Sequence, residues 1–357
     1  MDRIRKDDIE TPALLIDLDS LEWNIGAMAA FFRNRKARLR PHFKTAKCPA
    51  ICRLELAAGA VGITCAKVSE AEVLARAGIE DILVANQVVD TRKIQRLAGL
   101  AGEKTKITVC VDNPANVLDL SSAAQAAGVT LHVLVEMDVG MGRCGVGTPE
   151  EVLALAQAVS NAPGLIFEGI QAYEGHLSTL PDLGERQRGV ARMIETVTAA
   201  KELLERNGIP VRTVSGGGTG TYEFTGGDTI WTEIQAGSYV LMDGIYRAGG
   251  AKFKQALTVL TTVIHKRPGV AVTDCGKKAC STDGGDPSVS GHPGLKAVLS
   301  EEHGIIKDGG DELAYEQKIE YVPAHCCTTV NLYDQYHCVR GGALECVWPI
   351  PGRGKSR

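Results

Sequence analysis

Two stretches of the chain carry residue types and spacings that suit catalysis. Lys44 closes the segment Arg40-Pro41-His42-Phe43-Lys44, and a run of glycine and hydroxyl residues extends from Ser215 to Thr221. Consecutive glycines let a backbone approach a ligand closely, and their N–H groups, with the hydroxyls of the run, could cradle a phosphate. A lysine opposite a phosphate cradle indicates a Schiff base to a phosphorylated aldehyde.

Each of these features also has a simpler interpretation. A lone lysine such as Lys44 is usually a solvated loop residue, because lysines are almost never fully buried. The glycine run could equally be a flexible turn that leads into a short helix. The strands that precede these residues therefore decide between the interpretations.

A second candidate site lies near the C-terminus, in Val322-Pro323-Ala324-His325-Cys326-Cys327. We predict an extended strand here, in which side chains alternate with a period of two, so that His325 and Cys327 share one face. Imidazole and thiolate together suit zinc better than manganese or magnesium. The alternative is a hydrogen-bonded core histidine beside a buried thiol.

The elements that would position these residues follow a regular pattern. Short β-branched runs alternate with Ala- and Leu-rich helical stretches. The runs span residues 38–43, 60–66, 81–86, 106–112, 131–138, 165–173, 212–218 and 233–240. Strands that alternate with helices predict a parallel sheet, and a series of about eight such units predicts an α/β fold of the closed (β/α)8 TIM-type barrel.

In such a barrel the chemistry collects at the C-terminal ends of the strands. These positions include His42, Lys44, Arg143, Tyr173, His176, the run from Ser215 to Thr221, Gly237, Ser238 and Tyr239. Loops after the seventh and eighth strands commonly bind phosphate, which favours a phosphate site at the glycine run. Lys44, which follows the first strand, then becomes a candidate cofactor lysine.

The C-terminal part of the chain has a different pattern. Residues 256–265, 270–274 and 344–348 are strand-like and are separated by Gly and Pro, with no long helical pattern between them. The strand-like residues 11–17 fall outside the barrel count and are assigned to the same part. We therefore predict a barrel over residues 20–250 and a second, β-rich domain over 1–19 and 251–357, which would carry His325 and Cys327.

The composition of the 357 residues limits the classes of partner and compartment. The net charge of −4 gives no basic surface that would favour a nucleic acid or an anionic membrane. No apolar run approaches the length of a membrane span, and the N-terminus lacks the apolar core of a signal peptide. Eleven scattered cysteines, an odd number, favour reduced thiols and a cytoplasmic protein.

Several motifs together resemble a known family. Residues 11–17, the Pro-His-Phe-Lys segment that ends at Lys44, and residues 68–72 look like the alanine-racemase-type, fold III pyridoxal phosphate enzymes. Further motifs narrow the likeness to the D-threonine aldolase and D-serine dehydratase group, and most of all to 3-hydroxy-D-aspartate aldolases. These motifs lie at residues 142–146, 169–173, 215–220, 235–239 and 345–349. The resemblance covers residues 10–355.

The resemblance implies how a cofactor is held. Lys44 would form the Schiff base with pyridoxal 5'-phosphate. Arg143 would face the pyridine nitrogen and keep it unprotonated, because a permanent cation disfavours a second one beside it. His42 and Tyr173 would line the cofactor. The phosphate would bind to Ser215, Gly217, Gly218, Thr219, Gly237, Ser238 and Tyr239.

The resemblance also implies an activity. His325 and Cys327 would bind a divalent metal, either zinc, manganese or magnesium. The enzyme would cleave a D-β-hydroxy-α-amino acid, of the 3-hydroxy-D-aspartate or D-threonine type, to glycine and an aldehyde. Tyr173, His176 or a metal-bound hydroxide would take the hydroxyl proton, and the protein would form a homodimer that acts on a small amino acid.

Two departures from the family's pattern keep other activities open. The aldolases of this group usually have an aspartate in place of Cys327, whereas D-serine dehydratases have a cysteine. D-Threonine aldolases have a histidine where Tyr173 aligns, so Tyr173 could line the site without moving a proton. The main alternative is a dehydratase that yields a keto acid and ammonia. A racemase is a third alternative, but the metal pair would then have no function. A non-catalytic pyridoxal phosphate carrier is a fourth, but such carriers usually lack a second β domain.

Overall fold

The computed structural model describes residues 4–102, 104–227 and 229–357, which divide into two compact units. Unit one comprises the residues up to Ala27, Thr45–Ala50 and Ser238–Gly354. Unit two comprises Met28–Lys44, Ile51–Gly237 and Lys355–Arg357. The two units therefore alternate along the chain, and the short segment directly after Lys44 belongs to the unit that holds the C-terminal strands.

The strands account for most of the regular structure of unit one and for the inner layer of unit two. In chain order they are β1 (Ala13–Asp17), β2 (Arg38–Leu39), β3 (Ile63–Cys65), β4 (Asp81–Gln87), β5 (Lys106–Val111), β6 (Leu131–Glu136), β7 (Leu165–Ala172), β8 (Thr213–Gly216), β9 (Glu233–Ile234), β10 (Leu257–Arg267), β11 (Val270–Thr273), β12 (Ser288–Val289), β13 (Ala297–Leu299), β14 (Gly304–Lys307), β15 (Lys318–Val322), β16 (Gln335–Arg340) and β17 (Ala343–Pro349).

The helices follow the strands of unit two and are sparse elsewhere. They are α1 (Leu18–Phe32), α2 (Phe43–Ala46), α3 (Pro49–Ala57), α4 (Val68–Arg76), α5 (Thr91–Ala98), α6 (Pro114–Ala127), α7 (Pro149–Asn161), α8 (Gly175–Ser178), α9 (Leu183–Arg206), α10 (Tyr222–Thr225), α11 (Gly244–Ala248) and α12 (Cys326–Val330). Local signals begin several of them: the Asn113 side chain accepts an N–H at the start of α6, and Thr148 and Glu151 form a capping box at α7. No helix among the described residues is both long enough and apolar enough to cross a membrane.

Unit two is built on a curled, parallel sheet. Its strands follow the order β2-β9-β8-β7-β6-β5-β4-β3, and every pairing is parallel. Backbone hydrogen bonds link the two ends of this order, from Val61 N–H to the Leu39 carbonyl and from Thr64 N–H to the Pro41 carbonyl, both at 2.9 Å. The predicted TIM-type barrel is therefore confirmed, and each predicted strand of the barrel overlaps an observed one.

Two of the predicted strands are much shorter in the structure. The run predicted as strand 38–43 is a strand only over Arg38–Leu39, because Pro41 has no N–H for the ladder and a helix begins at Phe43. The run predicted as strand 233–240 is a strand only over Glu233–Ile234, and Ser238–Val240 forms a 3-10 turn. Lys44 therefore lies in the helix α2 rather than directly at a strand end.

A buried ion network connects the first residues of the barrel strands. The guanidinium of Arg40 donates to Glu233 at 2.7 and 2.8 Å and to Asp81 at 2.8 Å. The side chain of Arg40 is 6% exposed, so these carboxylates compensate its charge where water cannot. Gly62 has to be a glycine here, because a Cβ at this position would lie 2.2 Å from Nη1 of Arg40.

Unit one is a mainly antiparallel sheet. Its longest path runs β13-β14-β11-β10-β1-β16-β17, and β15 pairs with both β10 and β12. The N-terminal strand β1 lies in the middle, antiparallel to β10 and parallel to β16. Leu15, Leu260 and Val339 pack together on one side of these central strands. The expected β-rich second domain is confirmed, and the N-terminal strand is part of its sheet.

Candidate active site

The C-terminal ends of the strands of unit two surround a cavity of about 580 Å³, including its open mouth. Its lining contains four of the residues that the sequence singled out for cofactor binding, together with residues from β4 and β7 and with Gln235, which follows β9. The lining residues are His42, Lys44, Ala66, Ala85, Asn86, Gln87, Arg143, Cys144, Gln171, Tyr173 and Gln235. The position at the strand ends is where barrels of this type carry their chemistry.

Lys44 reaches this cavity from the first turn of α2. Its backbone N–H donates to Nδ1 of His42 at 3.3 Å, so that nitrogen acts as an acceptor and the ring orientation is fixed by the turn itself. The ammonium of Lys44 lies 5.6 Å from the centre of the Tyr173 ring. A lysine side chain in a walled cavity, rather than in open solvent, supports its assignment as a cofactor lysine.

Tyr173 stands at the end of β7 and faces both predicted cofactor cations. Its ring centre is 5.6 Å from the guanidinium carbon of Arg143, the same distance as from the ammonium of Lys44. The structure therefore brings these three predicted residues together. His176, the other predicted base, is exposed on α8 and is absent from the cavity lining.

Arg143 is held by a loop that two carboxylates organise. Oδ1 of Asp138 accepts the N–H groups of Gly140, Met141 and Gly142 at 2.8–3.1 Å. Oδ2 of Asp112 accepts the Gly145 N–H at 3.0 Å. Both aspartates were recognisable from the sequence as strand-end residues, but their role in shaping a loop was not.

Glu136 is a buried carboxylate next to the arginine. One oxygen accepts Nε2 of Gln87 at 2.6 Å, and the other lies 3.9 Å from Nη2 of Arg143. Burial raises the pKa of Glu136 above its ordinary value, although Gln87 and Arg143 oppose this effect. Gln87 is one of the lining residues that sequence reasoning missed.

Two further glutamines were missed although both lie in the quoted motifs. Nε2 of Gln235 donates to Oε1 of Gln171 at 2.7 Å and to Oγ of Ser215 at 2.8 Å, and all three side chains are buried. The alternation of side chains along β7 and β9 could have identified Gln171 and Gln235 as inward-facing polar residues. The chain of hydrogen bonds fixes the hydroxyl of Ser215.

Two backbone N–H groups of the glycine run donate hydrogen bonds to side chains of the protein itself. The Gly217 N–H donates to Oε2 of Glu174 at 3.1 Å, and the Gly218 N–H donates to Oγ1 of Thr221 at 3.0 Å. These two amides were predicted to cradle a phosphate, and in the structure both donate to protein side-chain oxygens. Thr219 is 3% exposed and lies at the centre of the run.

Packing explains one glycine of the run directly. A Cβ on Gly220 would lie 1.7 Å from the Ser178 carbonyl oxygen, and the Gly220 N–H donates to the Ser178 hydroxyl at 3.2 Å. Helix α8 therefore presses against the run. Of the remaining predicted phosphate residues, Gly237 ends the long Ile51–Gly237 segment of unit two, whereas Ser238 and Tyr239 lie in unit one, in a 3-10 turn.

His325 and Cys327 meet in unit one, but not through the predicted strand. Strand β15 ends at Val322, directly before Pro323, and α12 begins at Cys326. His325 is the extended residue before that helix, and its side chain hydrogen-bonds the Cys327 thiol. The prediction of an extended strand over both residues was wrong because Pro323 cannot continue the ladder and the chain then turns into a helix.

The surroundings of this pair suit a metal-binding thiolate. The pKa of Cys327 lies well below its ordinary value, because hydrogen bonds from the Cys326 thiol and from His325 stabilise the thiolate. The same interaction, with help from Asp283, raises the pKa of His325 to about 9. Oγ1 of Thr45 adds a further contact to the sulfur at 3.4 Å.

The pair fits a divalent metal as two protein ligands. Oδ2 of Asp283 lies 2.7 Å from Nδ1 of His325, which leaves Nε2 for a metal, as in many carboxylate–histidine–metal arrangements. Within residues 4–102, 104–227 and 229–357, no group of three or more His, Cys, Asp and Glu side chains is arranged to hold a metal ion, so the chain offers two candidate ligands here. Further ligands would therefore come from water or substrate.

Asp243 shapes the backbone between the two ligands. Its carboxylate is completely buried, and Oδ2 accepts the Cys326 N–H at 3.0 Å while Oδ1 caps α11 through the Tyr246 N–H at 3.0 Å. Burial raises the pKa of Asp243. The sequence offered no signal for this residue beyond its place after an apolar segment.

Comparison with known proteins identifies the family. Residues 16–243 match the model of the alanine racemase N-terminal domain, which is more than half of the chain. The chain belongs to the alanine-racemase-like family. Residues 256–339 of this alanine-racemase-like chain match the model described as a putative serine dehydratase domain. Enzymes of this family's aldolase branch use pyridoxal phosphate.

Two curated relatives of similar length are aldolases. The chain is 42% identical to 3-hydroxy-D-aspartate aldolase of Paracoccus denitrificans, over 98% of this chain and 93% of that protein. It is also 42% identical to D-threonine aldolase of an Arthrobacter species, over 98% and 94%. The solved D-threonine aldolase of Filomicrobium marinum superposes with a TM-score of 0.97, at 39% identity and 99% coverage of both chains.

A dehydratase is a more distant member of the same alanine-racemase-like family. D-threo-3-hydroxyaspartate dehydratase of a Delftia species is 30% identical over 95% of this chain and 97% of that protein. One solved variant of that dehydratase has a cysteine replaced by alanine and is in a metal-free form. Another solved variant replaces a histidine two positions before that cysteine.

Proposed function

We propose that this protein is a pyridoxal phosphate- and divalent-metal-dependent aldolase that cleaves a D-β-hydroxy-α-amino acid to glycine and an aldehyde. The single observation that carries the proposal is the grouping of Lys44, Arg143 and Tyr173 around one cavity at the strand ends. The aldolase relatives, which match nearly the whole chain at 42% identity, support the same reaction. The substrates that we propose are of the 3-hydroxy-D-aspartate or D-threonine type.

The cavity residues have distinct proposed roles. Bound pyridoxal phosphate supplies a conjugated ring that accepts the electron pair released when a bond to the substrate Cα breaks. Lys44 is the residue that we propose to hold it covalently through Nζ. Arg143, whose loop is fixed by Asp138, supplies a permanent cation that disfavours protonation of a neighbouring ring nitrogen. Ser215 and Thr219 are the proposed phosphate partners within the glycine run.

A base has to remove the hydroxyl proton of the substrate. Tyr173 lines the cavity, and its position favours it over His176, which is exposed on α8. We therefore propose the phenolic oxygen of Tyr173 as the acceptor or relay of this proton. A base has to lie within hydrogen-bonding reach of the proton that it removes, and of these two residues only Tyr173 lines the cavity.

His325 and Cys327 are the residues that we propose to hold the metal. A divalent metal supplies a Lewis acid that polarises a hydroxyl and lowers its pKa. The imidazole and thiolate donors favour zinc over manganese or magnesium. The hydrogen bonds that lower the pKa of Cys327 support this choice, since a thiol has to lose its proton to bind zinc.

A dehydratase is the second candidate because of Cys327. The Delftia dehydratase has solved variants at a histidine and at a cysteine two positions later, which is the spacing of His325 and Cys327. In that reaction a metal would make the substrate hydroxyl a leaving group, and the products would be a keto acid and ammonia. The higher identity to the aldolases favours aldol cleavage as the first proposal.

One experiment separates the two activities. Purified protein, with and without a chelator, is given D-threonine, D-serine and both diastereomers of 3-hydroxy-D-aspartate. Glycine and an aldehyde support the aldolase, whereas ammonia and a keto acid support the dehydratase. Turnover that survives complete metal removal would contradict the metal-dependent part of the proposal.

Two broader expectations accompany this function. We propose a homodimer, which light scattering of the purified protein would test against a monomer. We also propose a reducing, cytoplasmic setting, which the eleven free cysteines support. A stable intermolecular or intramolecular disulfide in protein purified without reductant would contradict that setting.

A further inference from the structure

Glu174 is a buried carboxylate to which none of the proposed chemical steps gives a role. It follows Tyr173 at the end of β7, and it is 0% exposed. Oε2 accepts the Gly217 N–H at 3.1 Å, and Oε1 accepts the Thr221 hydroxyl at 2.5 Å. Both oxygens are therefore bound to the glycine run, which we call the glycine loop (Ser215–Thr221).

Thr221 extends this attachment to a second amide of the glycine loop. Its Oγ1 accepts the Gly218 N–H at 3.0 Å while the same hydroxyl donates to Glu174. Thr221 is itself completely buried, so water cannot replace these bonds. Leaving one such buried group without a hydrogen-bond partner is costly, so a loop conformation that keeps these bonds is strongly preferred.

Packing alone does not explain why a carboxylate occupies position 174. Its described partners are hydrogen-bond donors rather than a cation, and burial raises its pKa, although the hydrogen bonds from Thr221 and Gly217 oppose this. Burying a carboxylate without an ion pair is unfavourable, and an apolar side chain would pack at lower cost. A glutamate at this position is explained if its hydrogen bonds are needed to hold the glycine loop in shape.

We infer that Glu174 is a positioning residue for the cofactor phosphate. Its carboxylate holds the glycine loop in the one conformation in which Ser215 and Thr219 present their groups to that phosphate. The inference rests on the proposed function, because it needs a phosphorylated cofactor in the cavity. Glu174 acts through the loop and does not touch the cofactor.

The test compares two ligands that differ only in the phosphate. The full-length protein is stripped of cofactor and titrated with pyridoxal phosphate and with pyridoxal, and visible absorbance reports binding of each. For Glu174→Ala we expect at least a tenfold loss of affinity for pyridoxal phosphate and less than a twofold loss for pyridoxal. A role in stability alone would weaken the binding of both ligands equally.

Two related variants keep the test informative if Glu174→Ala folds poorly. Glu174→Gln keeps one acceptor for the Gly217 N–H, and its amide can donate to Thr221. We therefore expect its ratio of pyridoxal phosphate affinity to pyridoxal affinity to stay within about threefold of the wild-type ratio. Thr221→Val removes the hydroxyl that joins Glu174 to Gly218, so we expect an intermediate loss of preference. The control is Glu168→Ala, which removes a nearly buried glutamate from within the same strand, β7.

The outcomes separate the inference from the proposed function. If Glu174→Ala and Thr221→Val bind both ligands with the wild-type preference for the phosphate, Glu174 has no positioning role and the inference fails alone. If Glu168→Ala loses the preference as strongly as Glu174→Ala, the effect is one of stability and the inference fails again. A wild-type protein that binds pyridoxal phosphate no better than pyridoxal overturns both the phosphate site and the inference.

Discussion

Oδ2 of Asp283 lies 2.7 Å from Nδ1 of His325, and the same imidazole hydrogen-bonds the Cys327 thiol. Asp283 thus fixes the ring orientation that a metal would need. We expect Asp283→Asn to weaken zinc binding about 10- to 100-fold, as is usual when the partner of a ligating histidine is changed. Competition with a zinc-sensitive dye would measure this, and Asp286→Asn, an exposed carboxylate in the same loop, is the control. Equal affinity of the two variants would contradict the arrangement.

Lys44 should be indispensable for cofactor retention. In Lys44→Ala we expect the visible absorbance of the bound cofactor to disappear and activity to fall by at least about 1,000-fold, because the covalent attachment and its nitrogen are lost. Absorbance spectroscopy of the dialysed protein measures the first effect. Lys47→Ala, three residues along and in unit one, serves as the control. An unchanged spectrum in Lys44→Ala would refute the central claim of a cofactor lysine.

Cys327 should determine which metal binds. Replacing the soft thiolate by a carboxylate, Cys327→Asp, should lower the ratio of zinc to manganese affinity by about tenfold or more. Calorimetric titration with each metal measures the ratio, and product assays in the same samples show whether glycine or ammonia formation changes with it. Cys346→Ser, at a half-buried thiol on β17, is the control. A constant ratio would mean that Cys327 is not a ligand.

Gly62 should be essential for the buried ion network of the barrel. Its added Cβ would lie 2.2 Å from Nη1 of Arg40 and 2.8 Å from the Asp81 carbonyl oxygen. Displacing a buried guanidinium from its carboxylates should reduce the free energy of unfolding by about 3 kcal/mol in Gly62→Ala. The same substitution at Gly26, exposed in α1 with nothing within 4 Å, should raise it by roughly 0.5–1 kcal/mol. Urea unfolding of both variants gives the comparison.

Glu168 should make the protein more sensitive to acid. A hydrogen bond from His132 outweighs burial and, with the Lys106 ammonium, lowers the pKa of Glu168 to about 2. A carboxyl whose folded pKa is depressed contributes its full stability above the ordinary value, near 4.5, and loses it as the pH falls toward 2. We expect Glu168→Gln to be less stable than the wild type at pH 7 by about 1–3 kcal/mol, with a difference that shrinks below pH 4.5 and is nearly gone at pH 2. Denaturant unfolding at pH 7, 4 and 2 measures the difference. A difference independent of pH would show that the charge is irrelevant, and Glu195→Gln, at an exposed position of α9, is the control.

The sequence predicted the barrel well because strand and helix periodicities are local properties. Runs such as 106–112 and 131–138 alternate with helical stretches, and the parallel sheet follows from that order. The ends of elements were less predictable. Pro41 and Pro323 each end a strand earlier than hydrophobic pattern alone indicated, and the chain turns into α2 and α12. Both turns lie beside the residues proposed to do the chemistry.

The candidate site was partly visible in the sequence and partly not. Strand-end position indicated Lys44, Arg143 and Tyr173, and the cavity in unit two brings these three together. Position could not separate Tyr173 from His176, because only the course of α8 decides which of them faces the cavity. Nor could it show that amides of the glycine run are bound by Glu174 and Thr221.

The sequence by itself determined the family, the barrel and the residue types available for catalysis, since these depend on patterns within short stretches. The tertiary structure alone decided how those residues are held. Glu174 reaches the glycine run from 43 positions away, and Asp283 reaches His325 from 42 positions away. Such pairs are joined by hydrogen bonds between distant parts of the chain, which carry no local signature and form only when the fold brings those parts together.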